Sequence, residues 1–181
     1  MNYEDVQKVS NAAAAKSQLV NTGFGKYFTR AVMAGFFIVL AMIFSNVVGN
    51  VFSGAELPAW GKFFSAVVFS IAVLLISMVG GELFTGNNFV LGSAAIRKSV
   101  SWGDACKLWI FCWIGNLIGS LLSVLVFYLT KIPTGATGEY FTQISAGKVG
   151  LGPVELLARA VLCNILVCLA VWCSINPSPE N

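Results

Sequence analysis

Long apolar runs separated by short polar or basic clusters organise this chain, and their lengths predict membrane helices. The first run covers residues 28–52 and opens on the basic residues Lys26 and Arg30. A turn with Glu56 and Pro58 follows, then a second run over residues 62–98 ending at Arg97 and Lys98. The third run covers residues 107–130, with Ser101 and Asp104 placed to cap its start, and the fourth covers residues 153–174, with Pro153 suited to a first helical turn. Residues 131–152, rich in glycine, threonine and serine, read as the one long connection. Ahead of the first span, residues 1–25 set Asp5, Lys8 and Lys16 against Val6, Val9, Ala13, Leu19 and Val20, the pattern of an amphipathic helix at the membrane surface. Residues 26–174 are then the membrane domain and 175–181 a tail. The predicted fold is an all-α membrane protein.

The second run is too long to be one ordinary span. A continuous helix over residues 62–98 would extend roughly 55 Å at about 1.5 Å per residue, against a hydrocarbon core of about 30 Å. The sequence GGELFTGNN at residues 80–88 supplies the interruption: Gly80, Gly81 and Gly86 weaken a helix, and Thr85 and Asn87 satisfy backbone groups that lose helical partners. Non-helical backbone at membrane depth is tolerated where protein or a water-filled cavity surrounds it, so the break predicts a pathway. The competing reading has residues 63–80 span the bilayer alone and residues 89–96 lie along its surface. Glu82, inside the break, needs a partner or water, and serves either proton coupling or helix termination.

Composition narrows the function classes. With 57% hydrophobic and 10% charged residues and a mean hydropathy of +0.80, the chain has too little charge to cover a water-exposed surface. A net charge of +3, dispersed near segment ends, gives no support for a nucleic-acid partner. No histidine is present, which removes the usual acid/base, haem and zinc ligand and argues against an enzyme. Cys106, Cys112, Cys163, Cys168 and Cys173 fall in or beside apolar segments without a CxxC, so they read as packing residues; neither metal nor cofactor is expected. A thiol oxidoreductase would need them paired near one membrane face. Gly115, Gly119 and Ser123 recur every four residues, as helix-packing positions do, and Glu155 and Arg159 are spaced for a salt bridge. Seven basic residues flank the spans on the amino-terminal side and three on the other, which predicts an inner (plasma) membrane protein with both termini in the cytoplasm.

GGELFTGNN after a long apolar helix, Ser101-Trp102-Gly103 before a span carrying Gly115-Asn116, and CNILVCLAVW at residues 163–172 together resemble the formate/nitrite transporter family. The resemblance extends from the amino-terminal helix to Trp172, with a slight lean toward the hydrosulfide branch. It implies an aquaporin-like fold of two inverted three-helix repeats, a homopentamer in the lipid bilayer, and a pore in each protomer for a small monovalent anion. Carried over by motif, Leu83 would form a constriction, Thr85 would present its hydroxyl, Asn164 would face the pathway, and Lys148 would sit on the outer approach. Gly80, Gly81, Glu82, Phe84, Gly86 and Asn87 would complete the split-helix loop. Plainer roles exist for each: a core leucine for Leu83, interhelical partners for Thr85 and Asn164, a solvated charge for Lys148.

The chain departs from that pattern after its fourth span, where the family has two more helices and a central histidine. The expectation is a truncated chain with an incomplete second repeat. Two function classes follow: an anion channel, with passage of the anion assisted by a proton, or a non-conducting remnant or assembly subunit that packs through its small-residue faces.

Overall fold

Between apolar helices in a membrane, packing depends on how closely backbones approach, because lipid is as apolar as leucine. The computed structural model, which describes residues 3–176, forms eight helices: α1 (Tyr3–Thr22), α2 (Phe24–Gly54), α3 (Pro58–Phe69), α4 (Ile71–Met78), α5 (Phe84–Ile96), α6 (Trp102–Leu129), α7 (Gly135–Val149) and α8 (Pro153–Ile175). Their closest approach is between α2 and α6. A Cβ added to Gly119 would lie 1.9 Å from the Val32 carbonyl oxygen, and one on Gly35 2.0 Å from that of Asn116. The two helices run parallel, since Tyr27 donates to the Leu108 carbonyl near their starts (3.1 Å) and Ser120 to that of Gly35 further along (3.3 Å). Gly115, Gly119 and Ser123 are all buried, as their spacing predicts.

Among the described residues, four segments are long and apolar enough to cross a membrane: α2, the α3–α4 pair at Pro58–Met78, α6 and α8. Ser70 marks the junction of α3 and α4, its hydroxyl bonded back to the Val67 carbonyl at 2.7 Å. Pro58 opens α3 and Pro153 opens α8, each where a missing N–H costs nothing. Ser101 caps α6, accepting from the Asp104 N–H at 3.0 Å, and Glu155 pairs with Arg159.

Three expectations change. Residues 131–152 are not a simple connection: α7 forms there and is held to the far end of α2 by Asn50 donating to Thr137 (3.1 Å) and by Tyr140 seated over Gly49. The break is shorter than residues 80–88. Helix resumes at Phe84, so Thr85, Gly86 and Asn87 stand in the first turn of α5 rather than in a loop. Nor does α5 lie along a surface, because Val90, Leu91, Ala94 and Ala95 are buried. On α1, the predicted apolar face packs against protein: Val9, Ala13 and Val20 share one core with Tyr27, Ala31, Leu91 and Leu108. The tail expected at 175–181 lies, from residue 177 onward, outside the described residues.

Candidate permeation site

The break is built from two helix ends. α4 stops with Gly80 in the left-handed region (φ +66°), its N–H bonded to the Ser77 carbonyl and that of Gly81 to the Ile76 carbonyl at 2.8 Å. That reciprocal pair is the Schellman arrangement, which satisfies the last carbonyls of a helix. Glu82 then joins α2, its N–H donating to the Arg30 carbonyl at 3.2 Å. Leu83 is extended (φ −99°, ψ 128°) and its carbonyl accepts the first helical bond of α5, from the Asn87 N–H at 2.9 Å.

Polar side chains surround this extended piece. The amide of Asn116, on α6, donates to the carbonyls of Ala31 (2.8 Å) and Glu82 (2.9 Å) and accepts from the Phe84 N–H (2.9 Å). Cys112 donates to the Glu82 carbonyl at 3.2 Å. Glu82 is buried, and its side chain pairs with the ammonium of Lys16 on α1 and accepts from the Asn87 amide at 3.1 Å. Asn87 in turn lies 3.3 Å from both the Tyr27 hydroxyl and the Cys112 sulfur, and its carbonyl accepts from the Trp109 indole at 3.1 Å. A buried carboxylate so paired meets the requirement that its position in an apolar segment imposed.

Leu83, Gly80, Gly81, Gly86 and Asn87 share the wall of a cavity of about 450 Å³, together with Lys16. Arg30 is beside it, its guanidinium carbon 4.0 Å from where a Cβ on Gly80 would sit. Phe84 faces another side, toward Trp109 and Trp113. The start of α5 also meets α8. The Asn164 amide approaches the Thr85 carbonyl at 3.5 Å, and Cys168 donates to the Asn164 side-chain oxygen at 3.1 Å. It is the Thr85 carbonyl, rather than its hydroxyl, that faces Asn164. Below that contact, Asn164, Cys168, Phe89 and Trp172 line an apolar groove of about 720 Å³.

Lys148 is apart from all of these, exposed in the last turn of α7. α7 docks at Asn50 of α2, whereas the break docks at Arg30, roughly 30 Å away along a helix rising about 1.5 Å per residue. Lys148 and Leu83 therefore belong to opposite ends of the α2 span. Among the described residues no cluster of His, Cys, Asp or Glu is arranged to hold a metal ion.

Residues 3–179 match the sequence profile of the family described as formate/nitrite transporter. The chain belongs to that family. Its members are transporters and channels rather than enzymes; they sit in membranes and carry small anions. Among its relatives, the chain is 33% identical to the "uncharacterized transporter YwcJ" of Bacillus subtilis (strain 168), over the whole of this chain and 71% of that protein. It is 31% identical to the formate channel FocA of Escherichia coli (strain K12), over 83% of this chain and 53% of that one. It is 27% identical to the nitrite transporter NirC of the same strain, over 92% and 61%. The chain thus spans about half the length of FocA. Its fold matches a solved structure described as an FNT family ion channel with a TM-score of 0.85, at 23% identity, over 96% of this chain and 75% of that one.

Against the formate/nitrite transporter motifs, the structure brings Leu83, Thr85 and Asn164 to one end of α5. Sequence reasoning missed Lys16 and the Tyr27–Asn87–Cys112 cluster. For Lys16 the signal was indirect: Glu82 required a partner or water. Asn116 was quoted only as a motif residue, although an amide within an apolar span is itself a mark of interhelical bonding.

Proposed function

We propose that this chain provides a pathway for small monovalent anions of weak acids, with formate, nitrite and hydrosulfide as the candidate substrates. The observation that carries the reading is Leu83 held in extended backbone at a broken helix, on the wall of a cavity that also receives Lys16. Two features there favour an anion. Arg30 brings positive charge to the break, where the charge of Lys16 is already balanced by Glu82, and α5 begins there, so the partial positive charge of its N-terminus faces the same region.

An apolar ring is a poor conductor of a bare ion. An isolated charge in a low-dielectric surround carries a penalty of several to tens of kcal/mol, far above what a few hydroxyl or amide contacts return. Protonation removes most of that penalty. In this mechanism the anion is drawn in by Lys148, crosses the Leu83 constriction as the neutral acid or with a shared proton, and exchanges part of its hydration for Thr85 and Asn164. The assembly is a homopentamer in the inner membrane, with both termini cytoplasmic; the basic residues on the amino-terminal side of the spans support that orientation.

Flux through liposomes holding the purified chain tests the proposal. Labelled formate, nitrite and hydrosulfide should each enter faster than into protein-free vesicles, and faster under an inward proton gradient. Rates equal to those of empty vesicles for all three would refute it.

A further inference from the structure

The two peptide units that flank Leu83 are held by one side chain. The Glu82 carbonyl belongs to the peptide before Leu83 and the Phe84 N–H to the peptide after it, and the Asn116 amide bonds both at 2.9 Å. The rotations that connect those two planes are the φ and ψ of Leu83, the only soft backbone dihedrals it has. Anchoring both planes therefore fixes the direction in which its side chain projects into the cavity of about 450 Å³. The Asn116 amide is anchored in turn. Its second N–H bond, to the Ala31 carbonyl at 2.8 Å, ties it to α2, and its own backbone lies against Gly35, where no Cβ would fit. Both donor hydrogens and one acceptor site of the amide are engaged, so it has little freedom to turn.

We infer that Asn116 is the positioning residue that sets the aperture at Leu83, acting as a two-point clamp across that leucine and so determining the largest anion admitted. This inference rests on the reading of Leu83 as the constriction of an anion pathway. A plain packing role would account for one bond from Asn116 to a neighbouring helix. It does not account for bonds to the backbone on both sides of a single residue.

Two measurements separate the clamp from the pathway. In the first, a Leu83→Cys chain, with the native cysteines replaced, is reacted with a small thiol reagent in the presence or absence of Asn116→Ala. Loss of the clamp should change the labelling rate by about tenfold, the equivalent of one or two lost hydrogen bonds. If Asn116→Ala does not yield dispersed protein, Asn116→Ser reads the same rate. An unchanged rate in the folded variant overturns the clamp whether or not the chain transports anything. In the second, the uptake ratio of formate to acetate is compared in liposomes. Both Leu83→Ala and Asn116→Ala should lower the ratio, and the double variant should lower it no further. A ratio lowered by Leu83→Ala alone overturns the role of Asn116 in selectivity. A ratio insensitive to Leu83→Ala overturns the constriction, and with it the aperture role, while the labelling rate still decides the clamp.

Discussion

Lys16 of the first helix pairs its ammonium with the carboxylate of Glu82 in the break, 66 residues further along the chain. The Glu82 side chain is 4% exposed and that of Lys16 21%, so the pair is shielded from water and ties α1 to the extended segment at Leu83. Removing one member of such a pair strands the other charge, at about 3–5 kcal/mol, whereas removing both leaves no uncompensated charge. Lys16→Met should therefore lower stability sharply, and Lys16→Met combined with Glu82→Gln should restore most of the loss. Thermal unfolding of the detergent-solubilised protein measures both. Equal losses in the single and double variants would mean that the pair contributes no coupling.

The contact of α2 with α6 makes a second, independent claim. Alanine at Gly119 would place its Cβ 1.9 Å from the Val32 carbonyl oxygen and 2.7 Å from the Phe36 nitrogen, both backbone atoms that cannot rotate away. Helices that must separate to admit a methyl group lose contact along their whole length. Gly119→Ala should cost about 1–3 kcal/mol or more, while Gly92→Ala, with nothing within 4 Å, should gain about 0.5–1 kcal/mol from helix propensity. Midpoints of thermal unfolding that move in the same direction for both would contradict the packing described here.

How far the sequence predicted this structure depends on which interactions each element needs. The four spans were legible because hydropathy alone decides them, and Ser101 and Pro153 mark two of their starts by local rules, whereas Pro58, read as a turn residue, opens α3. α7 was hidden because its glycines and threonines read as loop; the segment is helical where Asn50 and Gly49 of α2 give Thr137 and Tyr140 a place to dock. The edge of the break was misplaced for a related reason. Thr85, Gly86 and Asn87 are poor helix formers, but Asn87 bonds to Glu82 and lies against Tyr27 and Cys112, and those tertiary contacts outweigh propensity. Leu83, Thr85 and Asn164, singled out by motif, do meet at the start of α5, whereas Lys16 belongs to a distant helix and nothing local marks its partner.

Helix ends offer a prediction with two signs. Gly80 ends α4 at φ +66°, and Lys98 follows α5 at φ +61° with the same reciprocal bonds, its N–H to Ala95 and that of Ser99 to Ala94. A side chain in the left-handed region costs about 1–2 kcal/mol, which glycine avoids. Gly80→Ala should therefore destabilise by about that amount, and Lys98→Gly should stabilise. Denaturation midpoints in detergent check both, and a neutral Gly80→Ala would indicate that the break is not held in this conformation.

Charge at the far end of the proposed pathway gives the last prediction. Lys148 is exposed in the final turn of α7, at the end of α2 away from the break, so it has no part in holding Leu83 or Glu82. In the proposed mechanism its contribution to transport is electrostatic: a positive charge at the mouth raises the local concentration of an anion, and a negative one lowers it, with both effects weakened by salt. Lys148→Glu should lower anion uptake into liposomes most at low ionic strength, with the unfolding midpoint unchanged, and Lys148→Arg should retain it. Two features of the data separate steering from damage to the fold. Steering predicts a deficit that shrinks as salt rises and a melting curve that does not move, whereas damage moves the melting curve and leaves the deficit independent of salt. Flux identical to wild type at every ionic strength would remove Lys148 from the mechanism and leave Arg30, at the break itself, as the cation beside the proposed pathway.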